Sequence, residues 1–150
     1  MPIEAMHCDM DLVTRTLGTP ESVEATTVAR NEDAAAVDAT LRFDGTFARA
    51  SVSWLMPRAW GARGGYTATF EHGVLDASSS MGFDGKPAGT VTAYTQDGPR
   101  ELELPPADQY ADMLDHVLAC LRGEAANEIA PQTVLDALQL TLDIHHQVNG

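Results

Sequence analysis

Met6, Met10, Val13 and Leu17 recur at helical spacing, and Gly18-Thr19-Pro20 ends the run, so the pattern predicts a helix over roughly residues 4–17. Residues 21–30 then read as a strand, with Asn31-Glu32-Asp33 as a turn. The period next changes to two. Phe43-Asp44-Gly45-Thr46 forms a two-residue hairpin turn between alternating segments. A type I′ turn there pairs Leu41 with Ala48, Ala39 with Ala50, Val37 with Val52 and Ala35 with Trp54, all apolar. The other face pairs Arg42 with Phe47, Thr40 with Arg49, Asp38 with Ser51 and Ala36 with Ser53, and is mostly polar. One register sorts both strands into two chemically distinct faces, which is internal evidence for that register.

A second hairpin is predicted at Glu71-His72-Gly73-Val74. It pairs Phe70 with Leu75 and Ala68 with Ala77 on one face, and Thr69 with Asp76 and Thr67 with Ser78 on the other. Residues 57–65, with Pro57, Gly61, Gly64 and Gly65, read as a loop, and 81–89 as another Gly-rich loop. Val91 to Tyr94 and Glu101 to Leu104 read as short strands around a turn at Asp97-Gly98-Pro99. The C-terminal third is helical. Tyr110, Met113, Leu114, Val117, Leu118 and Leu121 make one apolar stripe, ended by Gly123. Pro131 opens a further helix whose apolar side carries Val134, Leu135, Leu138 and Leu142. The expected fold class is α+β: an open, mostly antiparallel sheet of about six or seven strands, with helices packed on its apolar face and the polar face left open.

Composition narrows the function. The 150 residues suit a single domain, 1–150. Twenty-two acids against nine bases give a net charge of −13, a field that repels phosphate backbones and anionic lipid, so neither nucleic acid nor membrane is an expected partner. No apolar run approaches the ~20 residues of a membrane span. Cys8 and Cys120 lack metal-ligand spacing, and two isolated thiols suit a reducing, cytoplasmic setting. His145-His146 are adjacent on a helix and point in different directions, so no metal is expected. No Gly-rich strand–turn–helix fingerprint for a dinucleotide occurs, so no cofactor is expected to bind this chain alone.

Three stretches carry a family resemblance: Cys8-Asp9-Met10-Asp11-Leu12 with Leu17-Gly18-Thr19-Pro20 and Val23; Leu41 to Val52 around Phe43-Asp44-Gly45-Thr46; and Tyr110 to Gly123 with Ile129-Ala130-Pro131 and Ala137-Leu138. In order and spacing they resemble the C-terminal domain of the Gfo/Idh/MocA oxidoreductases, here standing alone. The resemblance implies a substrate-binding and oligomerisation domain of an NAD(P)-dependent, sugar-type oxidoreductase. NAD(P) and the family's catalytic lysine would then belong to a separate nucleotide-binding partner. It also implies a homo-oligomer formed through the open sheet face, where Arg42, Phe47 and Arg49 lie, and a sugar-like ligand near Arg58, Trp60 and Arg63. Family dehydrogenases carry an acid, a His four residues later and an Asp three residues after that. Aligned on Asp11, the acid position is Glu4 and the His position is Cys8. His7 sits one residue early, about 100° away around the helix.

Glu4, His7, Cys8 and Asp11 are thus the candidate catalytic residues. Glu4 and Cys8 share a helical face, but a neighbouring carboxylate raises a thiol's pKa, and Cys8 reads more simply as a small buried filler. His7 and Asp11 have the spacing to hold one imidazole tautomer for acid–base work, or to make a plain surface contact. Arg58, Trp60 and Arg63 suit a sugar ring or a carboxylate, or an ordinary mobile loop. Three functions stay open: a binding and assembly domain; a cofactor-independent isomerase, lyase or cyclase acting on a small polar metabolite; and a fragment of a full-length oxidoreductase.

Overall fold

The structure is a computed structural model that describes residues 2–29, 35–81, 87–103 and 108–149, with backbone alone at 2–5, 29, 35, 81, 87 and 109. The predicted turn at Asn31-Glu32-Asp33, the residues 82–86 of the second Gly-rich loop, Leu104 and the side chain of Glu4 lie outside the described set. Three helices and seven strands follow one another as α1 (Pro2–Leu17), β1 (Ser22–Ala29), β2 (Ala35–Phe43), β3 (Thr46–Ser53), β4 (Ala62–Phe70), β5 (Gly73–Met81), β6 (Pro87–Thr95), β7 (Gly98–Glu101), α2 (Gln109–Arg122) and α3 (Pro131–Asn149). The strands form two antiparallel sheets, β1-β2-β3 and β4-β5-β6-β7. The fold is α+β, as the pattern indicates. The chain groups into two compact units, one of residues 1–55 with 119–150 and the other of 56–118.

The first unit holds every fully buried residue among those described. Val37, Ala39 and Leu41 of β2 and Ala50 of β3 meet Met6 and Met10 of α1 and Ala137, Leu140 and Ile144 of α3. This is the face that the alternating pattern marked as apolar, and the predicted register stands from Ala36↔Ser53 through Val37↔Val52 and Leu41↔Ala48 to Arg42↔Phe47. The ladder stops before Trp54, so the expected Ala35–Trp54 pair does not form. The turn also differs. Gly45 has φ +72° while Asp44 stays out of the left-handed region, so only the glycine supplies a positive φ and the turn is not type I′. Two buried hydroxyls are satisfied within their helices: Thr14 donates to the Met10 carbonyl at 2.8 Å and Thr141 to that of Ala137 at 2.7 Å. The outer edge of β1 is covered by the amide of Gln147, whose Oε1 accepts from Ala25 N at 2.9 Å and whose Nε2 donates to the Val23 carbonyl at 3.0 Å.

In the second unit the pattern misplaces several boundaries, and β6 starts at Pro87, inside the predicted 81–89 loop. The hairpin closes on Glu71-His72, and Phe70 pairs with Gly73, Ala68 with Leu75 and Tyr66 with Ala77. This is two residues from the expected register, and a slip of two keeps every side chain on its expected face. β7 begins at Gly98, inside the predicted turn, because the turn closes on Gln96-Asp97 with Thr95 opposite Gly98. Arg63, Gly64 and Gly65 are strand residues, not loop: they lie opposite Ser80, Ser79 and Ser78. A Cβ on Gly65 would run into the Ala77 carbonyl oxygen, so the glycine there permits a close backbone approach rather than a bend.

α2 ends at Gly123 as the pattern indicates, and both of its ends are capped. Asp108 Oδ1 accepts from Tyr110 N at 3.1 Å and Ala111 N at 3.2 Å, an N-cap. At the other end Gly123 (φ +73°) donates to the Cys120 carbonyl and Glu124 to that of Ala119, the paired bonds of a Schellman ending. The stripe between them does not pack as its periodicity suggests. Tyr110, Met113, Leu114, Val117, Leu118 and Leu121 are all exposed, from 45% at Val117 to 80% at Leu121.

Candidate functional site

α1 presents His7, Cys8, Asp9 and Asp11 over one helical turn. His7 is half-buried, and its Nδ1 is buried with no hydrogen-bond partner among the described residues. Asp11 does not hold that imidazole. Its carboxylate lies 3.8 Å from Arg15, one turn further on. Cys8 is exposed, which corrects its reading as a buried filler: it sits two residues past Met6, off the buried stripe. The surrounding protein raises the Asp9 carboxyl above its usual range by desolvation, although the side chain keeps surface contact. Among the described candidates, then, the structure gathers His7, Cys8 and Asp11 on one helix without a hydrogen bond linking them.

The second candidate group is built on a short 3-10 helix, Arg58–Trp60, that leads into β4. Gly61 (φ +70°) turns the chain so that Trp60 and Arg63 converge. The Arg63 guanidinium lies over the Trp60 ring, 4.1 Å from its centroid, and both are exposed. Arg63 makes no ion pair with any described residue. The sequence brought these residues together as a loop. The structure makes them the first turn and strand of a sheet, which fixes Arg63 more firmly than a loop would.

The polar face of β1-β2-β3 carries a charge network. Arg49 Nε donates to Asp38 at 2.9 Å and 3.0 Å, Ser51 donates to Asp38 at 2.6 Å, and Arg42 lies 3.9 Å from Glu24. The Arg49 bond first, then that of Ser51, holds the Asp38 carboxyl below its usual pKa. Phe47 and Val28 stand exposed on the same face.

One feature escaped the pattern: a groove of about 220 Å³ between the α1–β1 turn and α3, lined by Thr19, Glu21, Val23, Asp136, Leu140 and Asp143. Glu21 lies more than a hundred residues in sequence from Asp136 and Asp143, so no local spacing signals it. Gln139 donates to Asp143 at 2.8 Å and Gln132 to Asp136 at 2.7 Å, which engages two of them within α3. Among the described residues no helix is long and apolar enough to cross a membrane.

No protein-family model matches the sequence, and no curated protein matches it. Solved structures do. A biliverdin reductase from Synechocystis sp. PCC 6803, solved with biliverdin and NADP+, superposes with a TM-score of 0.76 at 14% identity, over 100% of this chain and 47% of that one. A UDP-N-acetylglucosamine 3-dehydrogenase from Acidithiobacillus ferrooxidans does so with a TM-score of 0.67 at 18% identity, over 95% of this chain and 45% of that one. The chain thus spans about half the length of the structures it matches. Its fold is the one that Gfo/Idh/MocA-type oxidoreductases carry over a little under half their length.

Proposed function

We propose that this chain is the substrate-binding and assembly half of an NAD(P)-dependent, sugar-type oxidoreductase, with the dinucleotide held by a nucleotide-binding partner. The observation that carries this reading is the apolar stripe of α2. Six large apolar side chains, each at least 45% exposed, form a contiguous strip on one helix. A strip of that kind marks a contact surface in a folded protein. The oxidoreductases of the same fold are about twice as long, which supports a nucleotide-binding domain as its occupant. In this reading Arg58, Trp60 and Arg63 touch the substrate, and the chain works in the reducing cytoplasm.

The stripe is tested with an apolar fluorescent dye. The chain is expected to light the dye, and Leu114→Ser/Leu118→Ser to cut that signal severalfold while circular dichroism stays unchanged. A dark wild-type chain, or an unchanged double variant, contradicts the reading.

The open face of β1-β2-β3 is the surface for a second copy. The chain carries −13 overall, so two copies repel. On this face two bases, Arg42 and Arg49, stand against two acids, Glu24 and Asp38, and the patch is locally neutral. Two copies meet there at least electrostatic cost, with Phe47 as the exposed apolar anchor.

One observation favours a second reading, a cofactor-independent isomerase, lyase or cyclase. A buried imidazole nitrogen with no partner among the described residues, as at His7 Nδ1, leaves a hydrogen-bonding position open to a small ligand. On that reading His7→Ala folds but loses turnover of a small polar metabolite, whereas the assembly reading leaves isolated-chain turnover at background in both proteins.

A further inference from the structure

The polar face of the second sheet has a composition that the assembly reading does not use. β4, β5 and β6 alternate so that Arg63, Gly65 and Thr67 share a face with Ser80, Ser78 and Asp76, and with Ala88, Thr90 and Thr92. Arg63 lies opposite Ser80, Gly65 opposite Ser78, and Ser78 opposite Thr90. The Ser78 and Thr90 hydroxyls are 3.2 Å apart, and Thr67 donates to Asp76 Oδ1 at 2.7 Å. Gly65 contributes no side chain, which leaves the hydroxyl pair beside it uncovered. At one end of this hydroxyl floor stands Arg63, its guanidinium carbon 4.1 Å from the Trp60 ring centroid.

The charge balance makes that arginine informative. Acids outnumber bases 22 to 9, so carboxylate partners are abundant, yet Arg63 has none among the described residues. The cation–π contact with Trp60 steadies the guanidinium, and its N–H groups, which make no ion pair with a described residue, keep their hydrogen-bonding capacity. A fixed guanidinium edge is a two-point receptor for a carboxylate or a phosphate. In a chain whose overall field repels anions, such a receptor works only at short range and in one direction, which selects for a ligand that brings other contacts. The floor supplies them. One two-residue step along β4 is about 7 Å. An acid group seated on Arg63 therefore places a ring of monosaccharide size over Gly65, Ser78 and Thr90, with the Asp76 carboxylate beyond as an acceptor for a ring hydroxyl.

We infer that this face binds an anionic monosaccharide, its carboxylate or phosphate on Arg63 and its hydroxyls on Ser78 and Thr90. This rests on the reading that Trp60 and Arg63 belong to the substrate-binding part of the chain, and it adds the ligand's charge and the surface under its ring.

The test is a titration of the full chain, followed by amide chemical shifts, with glucuronate, glucose 6-phosphate, glucose and acetate. At least one of the two charged sugars binds tenfold or more tightly than glucose or acetate, with shifts centred on residues 60–65, 78–80 and 90. Which one binds identifies the acid group as carboxylate or phosphate. Arg63→Lys keeps the charge but loses the planar fork, and weakens that binding about tenfold. Thr90→Val weakens it severalfold. The inference is overturned if neither charged sugar binds, if glucose binds as well as both, or if Arg63→Lys and wild type bind alike. Failure here with the α2 dye result intact removes the anionic ligand and leaves the assembly reading. A dark α2 with charged-sugar binding intact removes the partner surface and leaves the ligand.

Discussion

At the scale of single residues, strand alternation decides what each side chain meets. Val37, Ala39 and Leu41 are buried because every second residue of β2 is apolar, and Asp38 lies open to Arg49 for the same reason. Hidden from the sequence was pairing across a helix turn. His7 and Asp11 have suitable spacing, but Asp11 has two neighbours at that spacing, His7 and Arg15, and lies beside the permanent cation. Asp38 gives a clean titration test. Its carboxyl is held below the usual range by Arg49 and Ser51, so the folded state binds its proton less readily than the unfolded chain. The stabilisation is present above the unfolded carboxylate range and is lost as pH falls through the lowered folded value. Carboxyl-carbon NMR is expected to show the Asp38 midpoint below 3.8, and Arg49→Met to move it up toward 3.8. A midpoint unaffected by Arg49→Met contradicts the pairing.

At the scale of elements, turn chemistry decided what could be read. Asp44-Gly45 pinned its hairpin to the residue because one glycine supplies the positive φ that the turn requires. Gly45→Ala forces a side chain into that region and is expected to cost about 1 kcal/mol or more in denaturant unfolding, with the α1, β2 and α3 core otherwise unchanged. An unchanged midpoint would mean the turn relaxes at no cost. The second hairpin offered no such anchor. Gly73 is not in the left-handed region, and the chain turns on Glu71-His72, one residue sooner than a glycine-centred turn would place it. Gly64 and Gly65 read as punctuation, yet both lie within β4, and at Gly65 the close approach of β5 is what needs a glycine. The 220 Å³ groove was not legible at all, because it joins residues near 20 to residues near 140.

At the scale of the whole molecule, the two units differ in what they bury. The first closes a core between α1, α3 and β1-β2-β3, and the second buries no described residue fully. The sequence pattern specified apolar faces for both, and only coordinates reveal which of them the chain covers by itself. Two uncovered surfaces are proposed for other molecules: the apolar stripe of α2 for the dinucleotide-binding partner, and the polar face around Phe47 for a second copy. Sedimentation is expected to give a dimer that Phe47→Asp converts to monomer, and a monomeric wild type at high concentration contradicts that interface. If a partner holds the dinucleotide, this chain alone has no site for it, and equilibrium dialysis against NADPH reads that out. The chain alone is expected to retain no more NADPH than buffer does. Saturable retention of one NADPH per chain would contradict it.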